Sequence, residues 1–115
     1  ITDPCLGWEQ TVGALGLLPA ASLGDEVGLY EPVHGSAPTL AGKNVANPIG
    51  MILSGAMMLR HSLGLEAEAE RVERAVGAVL ASGARTVDLL EAGRTDSIGC
   101  REMGTLVAER VRGEQ

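Results

Sequence analysis

The sequence predicts an α/β fold, and three observations lead to this prediction. The segment VGLYEPV at 27–33 has the length and composition of a strand and leads into a loop bounded by prolines. Two long helical patterns follow that loop, at about 48–63 and 66–82, and a third lies at about 101–112. The length of 115 residues leaves room for one small domain.

The N-terminal part of the chain predicts little regular structure. Residues 1–12 hold Pro4, Gly7 and a lone Trp8, and we expect them to be irregular. Residues 13–24 are small and apolar with three glycines, which is typical of a short strand or of a turn. The pattern is compatible with both, and both stay open.

The most informative segment is the loop EPVHGSAP, which begins at Glu31 and continues as TLAGKNVANP to Pro48. Gly35 has no side chain and the two residues after it have small ones, while Pro38 fixes its own backbone and restricts the residue before it. Such a loop lets a ligand come close to main-chain N–H groups. It closes at Asn47-Pro48, a strong helix start, and the unpaired amides of a helix N-terminus favour anionic ligands.

The three helices differ in the faces that they bury. The first, from about Pro48 to Leu63, has few polar positions, so we expect a buried helix that packs on strands outside this chain and leaves an apolar face exposed. The second, from about Glu66 to Ser82, carries one apolar stripe and a solvated face of glutamates, and Gly83 ends it. The third, from about Arg101 to Arg112, turns four apolar residues inward: Met103, Leu106, Val107 and Val111.

Composition and charge exclude several classes of partner. The net charge is −6, and both nucleic acid and an anionic membrane require a basic face, so neither is expected as a partner. The sequence shows no apolar run of transmembrane length and no basic leader before an apolar segment, so we expect a cytoplasmic protein. Cys5 and Cys100 lack metal-ligand spacing and are expected to be unpaired thiols in a reducing compartment.

Five segments together carry a resemblance to a known family. They are GALGLLPAASL from Gly13, the loop from Glu31 to Pro48, MMLRHS at 57–62, RTVDL at 85–89 and EMG at 102–104. With them the chain resembles the β-decarboxylating dehydrogenases of the isocitrate/isopropylmalate dehydrogenase family, and GLYEP at 28–32 and the tail place it nearest the 3-isopropylmalate branch. The resemblance implies the C-terminal third of such an enzyme. Residues 13–115 would then form part of a dinucleotide-binding domain, with helices packed on a mixed sheet.

The resemblance also implies a cofactor site in the loop. In the family the imidazole that matches His34 lies against the adenosine of the dinucleotide. The three residues that follow match positions whose backbone lines the path of the phosphates and the ribose, and Asn47 matches a residue that reads the adenine edge. Glu31 matches a carboxylate near the nicotinamide, and a salt bridge that anchors the strand end is an equal alternative. The implied cofactor-binding residues are Glu31, His34, Gly35, Ser36, Ala37, Thr39, Leu40 and Asn47.

The choice between NAD and NADP depends on the two residues after Pro38. Relatives that use NAD place an aspartate there, which accepts hydrogen bonds from the ribose hydroxyls, and relatives that use NADP place Lys-Tyr. This chain has Thr39-Leu40, which is neither acidic nor basic. Further along, the positions that match a Tyr and an Arg of the NADP users are Val87 and Glu91, and Glu91 would repel a phosphate if it faced the site. NAD is therefore favoured over NADP.

The groups that perform the family's chemistry are not found in this sequence. Oxidation of the hydroxyl and loss of CO2 need Mg2+ or Mn2+ held by aspartates, and ITDPCLGWEQ at 1–10 does not reproduce their spacing. The arginines that bind substrate and the Tyr and Lys acid/base pair also lie upstream in the family. We therefore expect no catalytic and no metal-binding residue here, and no dehydrogenase activity of the chain alone.

Three functional hypotheses follow from the resemblance. In the first, the chain is a fragment or a split half of an NAD-dependent 3-isopropylmalate dehydrogenase of leucine biosynthesis and needs a complementary N-terminal polypeptide. A related isocitrate, homoisocitrate or tartrate dehydrogenase is the alternative parent. In the second, the chain is a non-catalytic nucleotide-binding or regulatory module, and in the third it is a decayed remnant. Full-length members of the family are homodimers, largely through a smaller domain.

Overall fold

The computed structural model of the chain describes residues 15–113. Within this range two strands, β1 (Pro19–Leu23) and β2 (Gly28–Pro32), are followed by three helices, α1 (Ile49–His61), α2 (Glu66–Ala81) and α3 (Cys100–Gly113). Short 3-10 turns lie at Leu15–Leu17, Pro38–Leu40 and Val87–Leu89. The predicted α/β class is confirmed. The predicted irregular segment at 1–12 lies outside the described residues, and the domain boundary at residue 13 stays a prediction.

The two strands form one antiparallel pair in which Pro19 lies opposite Pro32. The Gly24 N–H donates to the Val27 carbonyl oxygen at 3.0 Å and closes the turn between the strands. Of the two structures left open for residues 13–24, a strand forms at Pro19–Leu23 and a 3-10 turn precedes it at Leu15–Leu17, while residues 13 and 14 lie outside the described residues. A mixed sheet also contains parallel neighbours, which need a crossover connection to a further strand. The described residues contain only the antiparallel pair.

Helix α1 packs on both strands and on α2. A Cβ atom at Gly50 would lie 3.0 Å from the Gly16 carbonyl oxygen and 3.2 Å from the Pro32 Cβ, so the missing side chain lets the helix approach the sheet closely. The buried face of the helix therefore packs on β1 and β2, whereas Met51 and Met58 are exposed, so that packing of the helix on strands outside the chain stays a prediction. The buried positions of the helix are Ile49, Gly50, Leu53, Ser54 and Ala56.

Side-chain hydrogen bonds hold both ends of α1. The helix begins one residue later than predicted, and the Ile49 N–H donates to Oδ1 of Asn47 at 3.0 Å, as expected of a capping asparagine. At the other end, the hydroxyls of Ser62 and Tyr30 are hydrogen-bonded at 2.6 Å. Tyr30 lies on the face of β2 that is turned toward the helix, so the contact joins the helix end to the sheet.

Helices α2 and α3 enclose the remainder of the core. Gly83 adopts a φ of +98° just beyond the end of α2 and stops that helix as predicted. The buried apolar side chains of the two helices are Ala69, Ala75, Val76, Val79, Leu80, Met103 and Val107, and the predicted inward residues Leu106 and Val111 pack partly buried against them. No helix between residues 15 and 113 is both long enough and apolar enough to cross a membrane.

Candidate functional site

The loop between β2 and α1 contains a residue in an unfavourable backbone conformation. Ala37 has a φ of +41°, in the left-handed region, and its carbonyl oxygen accepts a hydrogen bond from the Leu40 N–H at 2.9 Å. For a residue with a Cβ atom this conformation costs about 1–2 kcal/mol. Strain of this kind concentrates at ligand-binding sites, where the surrounding structure holds it in place. The strained backbone therefore favours a binding role for this loop.

Asn44 joins the loop to the start of α3. It also has a positive φ, of +57°. Its carbonyl oxygen accepts a hydrogen bond from the Cys100 N–H at 3.0 Å, and its side-chain Oδ1 accepts one from the Arg101 N–H at 2.9 Å. One asparagine thus satisfies two of the N–H groups that a helix leaves unpaired at its N-terminus. Gly99 allows this contact, since a Cβ atom there would collide with the Asn44 side-chain amide.

A pocket of about 640 Å3 lies between the loop and the starts of α1 and α3. Its volume is within the range of about 300–1,000 Å3 that is usual for small-molecule sites. The loop supplies most of the lining, and the rest comes from Gly16, from the turn at Val87 and Asp88, and from the first residues of α3. The site is therefore assembled from four separate segments of the chain around one loop.

Most of the predicted cofactor-binding residues meet in this pocket. Its lining includes His34, Gly35, Ser36, Ala37, Leu40 and Asn47. Glu31 and Thr39 are not part of the lining. Glu31 lies on the exposed face of β2 opposite Ala20, and Thr39 is exposed in the turn next to Leu40. The binding role of all eight residues stays a prediction, but six of them share one cavity.

The His34 ring is oriented by the backbone of the residue that follows it. Its Nδ1 lies 2.8 Å from the Gly35 carbonyl oxygen. Because a carbonyl oxygen only accepts, we assign the proton to Nδ1. In the uncharged form of the ring, Nε2 is then an acceptor. The ring is exposed at the pocket, where it can accept a hydrogen bond from a ligand hydroxyl or amino group.

The Asn47 side chain is bound on both sides at the start of α1. In addition to capping Ile49 through Oδ1, it donates from Nδ2 to Oδ2 of Asp88 at 3.1 Å. Oδ1 of Asp88 accepts a hydrogen bond from the hydroxyl of Thr86, which is fully buried. Asp88 lies in the RTVDL segment, and the sequence alone predicted no role for its side chain. The sequence also predicted no role at the pocket for four further lining residues: Gly16, Asn44, Cys100 and Arg101.

The charged side chains in the lining are Asp88 and Arg101, which come from two different segments. The pocket can thus offer a ligand one anion, one cation, an imidazole, an amide and the backbone of a small-residue loop. Among residues 15–113 no three His, Cys, Asp or Glu side chains come together as a metal ion would require. The lining therefore offers hydrogen-bonding groups and one charge of each sign to an organic ligand.

Comparison with known proteins places this fold among dehydrogenases. The structure is similar to the crystal structure of isocitrate dehydrogenase from Methylococcus capsulatus, with a TM-score of 0.80, 44% identity, and coverage of 89% of this chain and 29% of that one. It is also similar to a beta-decarboxylating dehydrogenase from Thermococcus kodakarensis, with a TM-score of 0.77, 38% identity, and coverage of 90% and 29%.

The sequence comparisons then define the family. The isocitrate/isopropylmalate dehydrogenase family matches residues 8–107, so the chain belongs to that family. The chain is 56% identical over 100 residues to a 3-isopropylmalate dehydrogenase of Rhodopirellula baltica and 59% identical over 100 residues to one of Oleidesulfovibrio alaskensis. Each match covers 86% of this chain and 28% of the relative, so the chain spans just over a quarter of the length of these relatives. The predicted resemblance, nearest to the 3-isopropylmalate branch, is confirmed.

Proposed function

We propose that this chain supplies the adenosine side of an NAD site in a 3-isopropylmalate dehydrogenase of leucine biosynthesis. The single observation that carries the proposal is the pocket in which His34, the backbone of Gly35 to Ala37 and the Asn47 amide converge. The relatives named 3-isopropylmalate dehydrogenase, at 56% and 59% identity, support the choice of enzyme.

The residues of the pocket fit the adenosine part of a dinucleotide. The small residues of the loop allow close approach to the backbone, and the lining offers both donors and acceptors for a purine and a ribose. The cofactor, when bound, accepts a hydride on its nicotinamide ring. The contribution of this chain is to bind and orient the other end of the molecule, through the His34 acceptor, the loop backbone and the Asn47 amide.

We also propose that the site prefers NAD over NADP. The neutral pair Thr39-Leu40 offers no cation to a 2′-phosphate, and the Asp88 carboxylate within the lining repels one. Arg101 also lines the pocket and would attract it, so the position of the ribose between these two charges sets the preference. Glu91 does not line the pocket, so this preference does not rest on its charge.

Catalysis requires more than this chain, in our proposal. The described residues bring together no metal-binding set, and the chain spans 28% of the length of its relatives. We propose that a complementary polypeptide supplies the substrate and metal residues, that the assembly works in the cytoplasm, and that it forms the homodimer typical of the family. Oxidation of isocitrate is the second candidate, favoured by the similarity to the Methylococcus capsulatus isocitrate dehydrogenase.

Binding of the cofactor to the isolated chain tests the proposal. NAD and NADP are titrated to millimolar concentration, and the signals of Gly35, Ser36 and Asn47 are followed by NMR. We expect these signals to shift with NAD, more weakly with NADP, and His34→Ala to weaken NAD binding about five-fold, the value of one neutral hydrogen bond. His61→Ala is the matched control, because His61 lies at the exposed end of α1 and outside the pocket.

The outcomes separate the parts of the proposal. A folded chain whose pocket signals do not move with either cofactor would overturn the adenosine site. Equal losses in the two histidine variants would show that the loop is not where the ligand lies. Assays with 3-isopropylmalate and with isocitrate, each with NAD and Mg2+, should give no turnover with the chain alone, and turnover would overturn the need for a complementary polypeptide.

A further inference from the structure

The orientation of the Asn47 amide is fixed by groups that cannot exchange their roles. The Ile49 N–H is a donor, so it must face Oδ1, which it reaches at 3.0 Å. Ionised Asp88 only accepts, so it must face Nδ2, at 3.1 Å. Rotating the amide by 180° would place the Ile49 N–H against Nδ2 and the Asp88 carboxylate against Oδ1. Both contacts would then be repulsive, and only one orientation is compatible with the surroundings.

Asp88 is itself held in place. Its Oδ1 accepts a hydrogen bond from the hydroxyl of Thr86, and that threonine is fully buried at the N-terminal end of the turn at Val87–Leu89. Gly16 lies against the other side of the pair. A Cβ atom there would be 2.9 Å from Oδ2 of Asp88 and 3.0 Å from Nδ2 of Asn47. The carboxylate is thus hydrogen-bonded both to a buried residue and to an amide at the surface of the pocket.

We propose that Asp88 is a positioning residue that fixes the Asn47 amide for recognition of the adenine ring. With one N–H of Nδ2 committed to Asp88, the second N–H of that nitrogen remains as the donor that the side chain can offer to a ring nitrogen. The inference deepens the proposed function and rests on it. In this inference Asp88 acts indirectly, through Asn47, and does not contact the ligand itself.

Two substitutions at Asp88 separate positioning from direct contact. Asp88→Ala removes the acceptor, and we expect the NAD affinity of the full chain to fall about ten-fold, the value of a hydrogen bond to a charged group. Asp88→Asn keeps one acceptor oxygen for Asn47 and can donate to the Thr86 hydroxyl, so it should retain affinity within about three-fold of the original. Asp25→Ala, in the exposed turn between the strands, is the matched control and should change nothing.

A second measurement does not depend on the ligand. Hydrogen exchange of the Ile49 amide reports whether Asn47 still caps the helix, and it should be at least about five-fold faster in Asp88→Ala than in the original chain and in Asp88→Asn. Circular dichroism confirms that each variant is folded.

Each outcome of these measurements either supports or overturns the inference. Unchanged affinity and unchanged Ile49 exchange in Asp88→Ala would overturn the inference. Loss of affinity in Asp88→Asn as large as in Asp88→Ala would also overturn it, because the charge itself would then contact the ligand. If the original chain binds no NAD, the proposed function fails, while the exchange of Ile49 still shows whether Asp88 positions Asn47.

Discussion

Gly16 lies where any side chain would meet the polar groups of the pocket. It precedes β1 in sequence and is far along the chain from Asp88, yet the two line the same cavity. A glycine at this point leaves room for the Asn47 amide and the Asp88 carboxylate to form their hydrogen bond. The geometry of the pocket therefore depends on a residue that has no side chain.

Substituting Gly16 by alanine tests this dependence. The new Cβ atom would lie 2.9 Å from Oδ2 of Asp88, closer than real Cβ contacts, so we expect a loss of about 1–3 kcal/mol in the free energy of unfolding. NAD binding should weaken in parallel. Gly55→Ala is the control, because Gly55 lies in the middle of α1 with open space around its Cβ position, and the change should stabilise the helix by up to about 1 kcal/mol. Urea unfolding of both variants measures the two effects, and a neutral Gly16→Ala would contradict the close packing described here.

The sequence predicted one part of the site and missed the other for a physical reason. His34, Gly35, Ser36, Ala37 and Asn47 are near neighbours in sequence, and their backbone chemistry was visible as a motif. Asp88 reaches Asn47 only after the chain has turned through two helices, 41 residues later. A contact of this kind arises from tertiary packing, so spacing in the sequence does not show it.

At the scale of elements, the corner between α1 and α2 is held by one arginine. Arg60 donates to both carboxylate oxygens of Glu66 and also binds Glu73, and its side chain is only 24% exposed. The hydrogen bond to Glu73, followed by the one to Glu66, raises the pKa of Arg60 above its usual range. The guanidinium therefore remains charged and joins the end of one helix to the start and middle of the next.

Removing this cation should destabilise the helical corner. We expect Arg60→Met to reduce the free energy of unfolding by about 1–2 kcal/mol, between the values for exposed pairs and for hydrogen bonds to charged groups. Arg110→Met is the matched control, because Arg110 is exposed on α3 and does not belong to this corner, so its loss should stay below about 1 kcal/mol. Chemical denaturation at low and high salt distinguishes them, and equal losses would show that the corner depends on other contacts.

The turn between α2 and α3 should respond to acid. Arg94 donates to both carboxylate oxygens of Asp96, at 2.9 and 2.8 Å, and to the Gly83 carbonyl oxygen. The hydrogen bond from Arg94 lowers the pKa of Asp96 below the usual aspartate value of about 3.9. Since the folded pKa is depressed, its contribution to stability is present above about pH 4 and is lost as the pH falls through the folded pKa.

Asp96→Asn removes this titration and provides the comparison. The original chain should melt at a higher temperature than Asp96→Asn at pH 6, and the difference should shrink as the pH falls below about 4. Thermal unfolding followed by circular dichroism at pH 6, 4 and 3 measures it. A difference that stays constant across this range would show that the ion pair does not contribute through the ionisation of Asp96.

At the scale of the whole molecule, helix positions were predicted better than the sheet. The apolar repeats located three helices to within two residues at most ends, because one helical face meets a core that the chain itself supplies. The sheet depends on pairing between strands, and the described residues contain only one antiparallel pair. The expected apolar exposure is found on α1, at Met51 and Met58, and also in a row of residues within and beside β2. That row consists of Val27, Leu29 and Val33, with Glu31 among them.

This exposed row predicts self-association of the chain at high concentration. Leu29 is 57% exposed at its centre, and burying one such side chain against a second copy contributes about 1.5–3 kcal/mol. Leu29→Lys should therefore raise the dissociation constant of self-association about ten-fold or more, by losing this contact and by introducing charge repulsion between copies. Leu63→Lys is the matched control, because Leu63 is 56% exposed but lies just beyond the end of α1 and is not part of the row. Sedimentation velocity over a hundred-fold range of concentration measures the effect, and equal behaviour of the two variants would show that β2 is not the surface through which the copies meet.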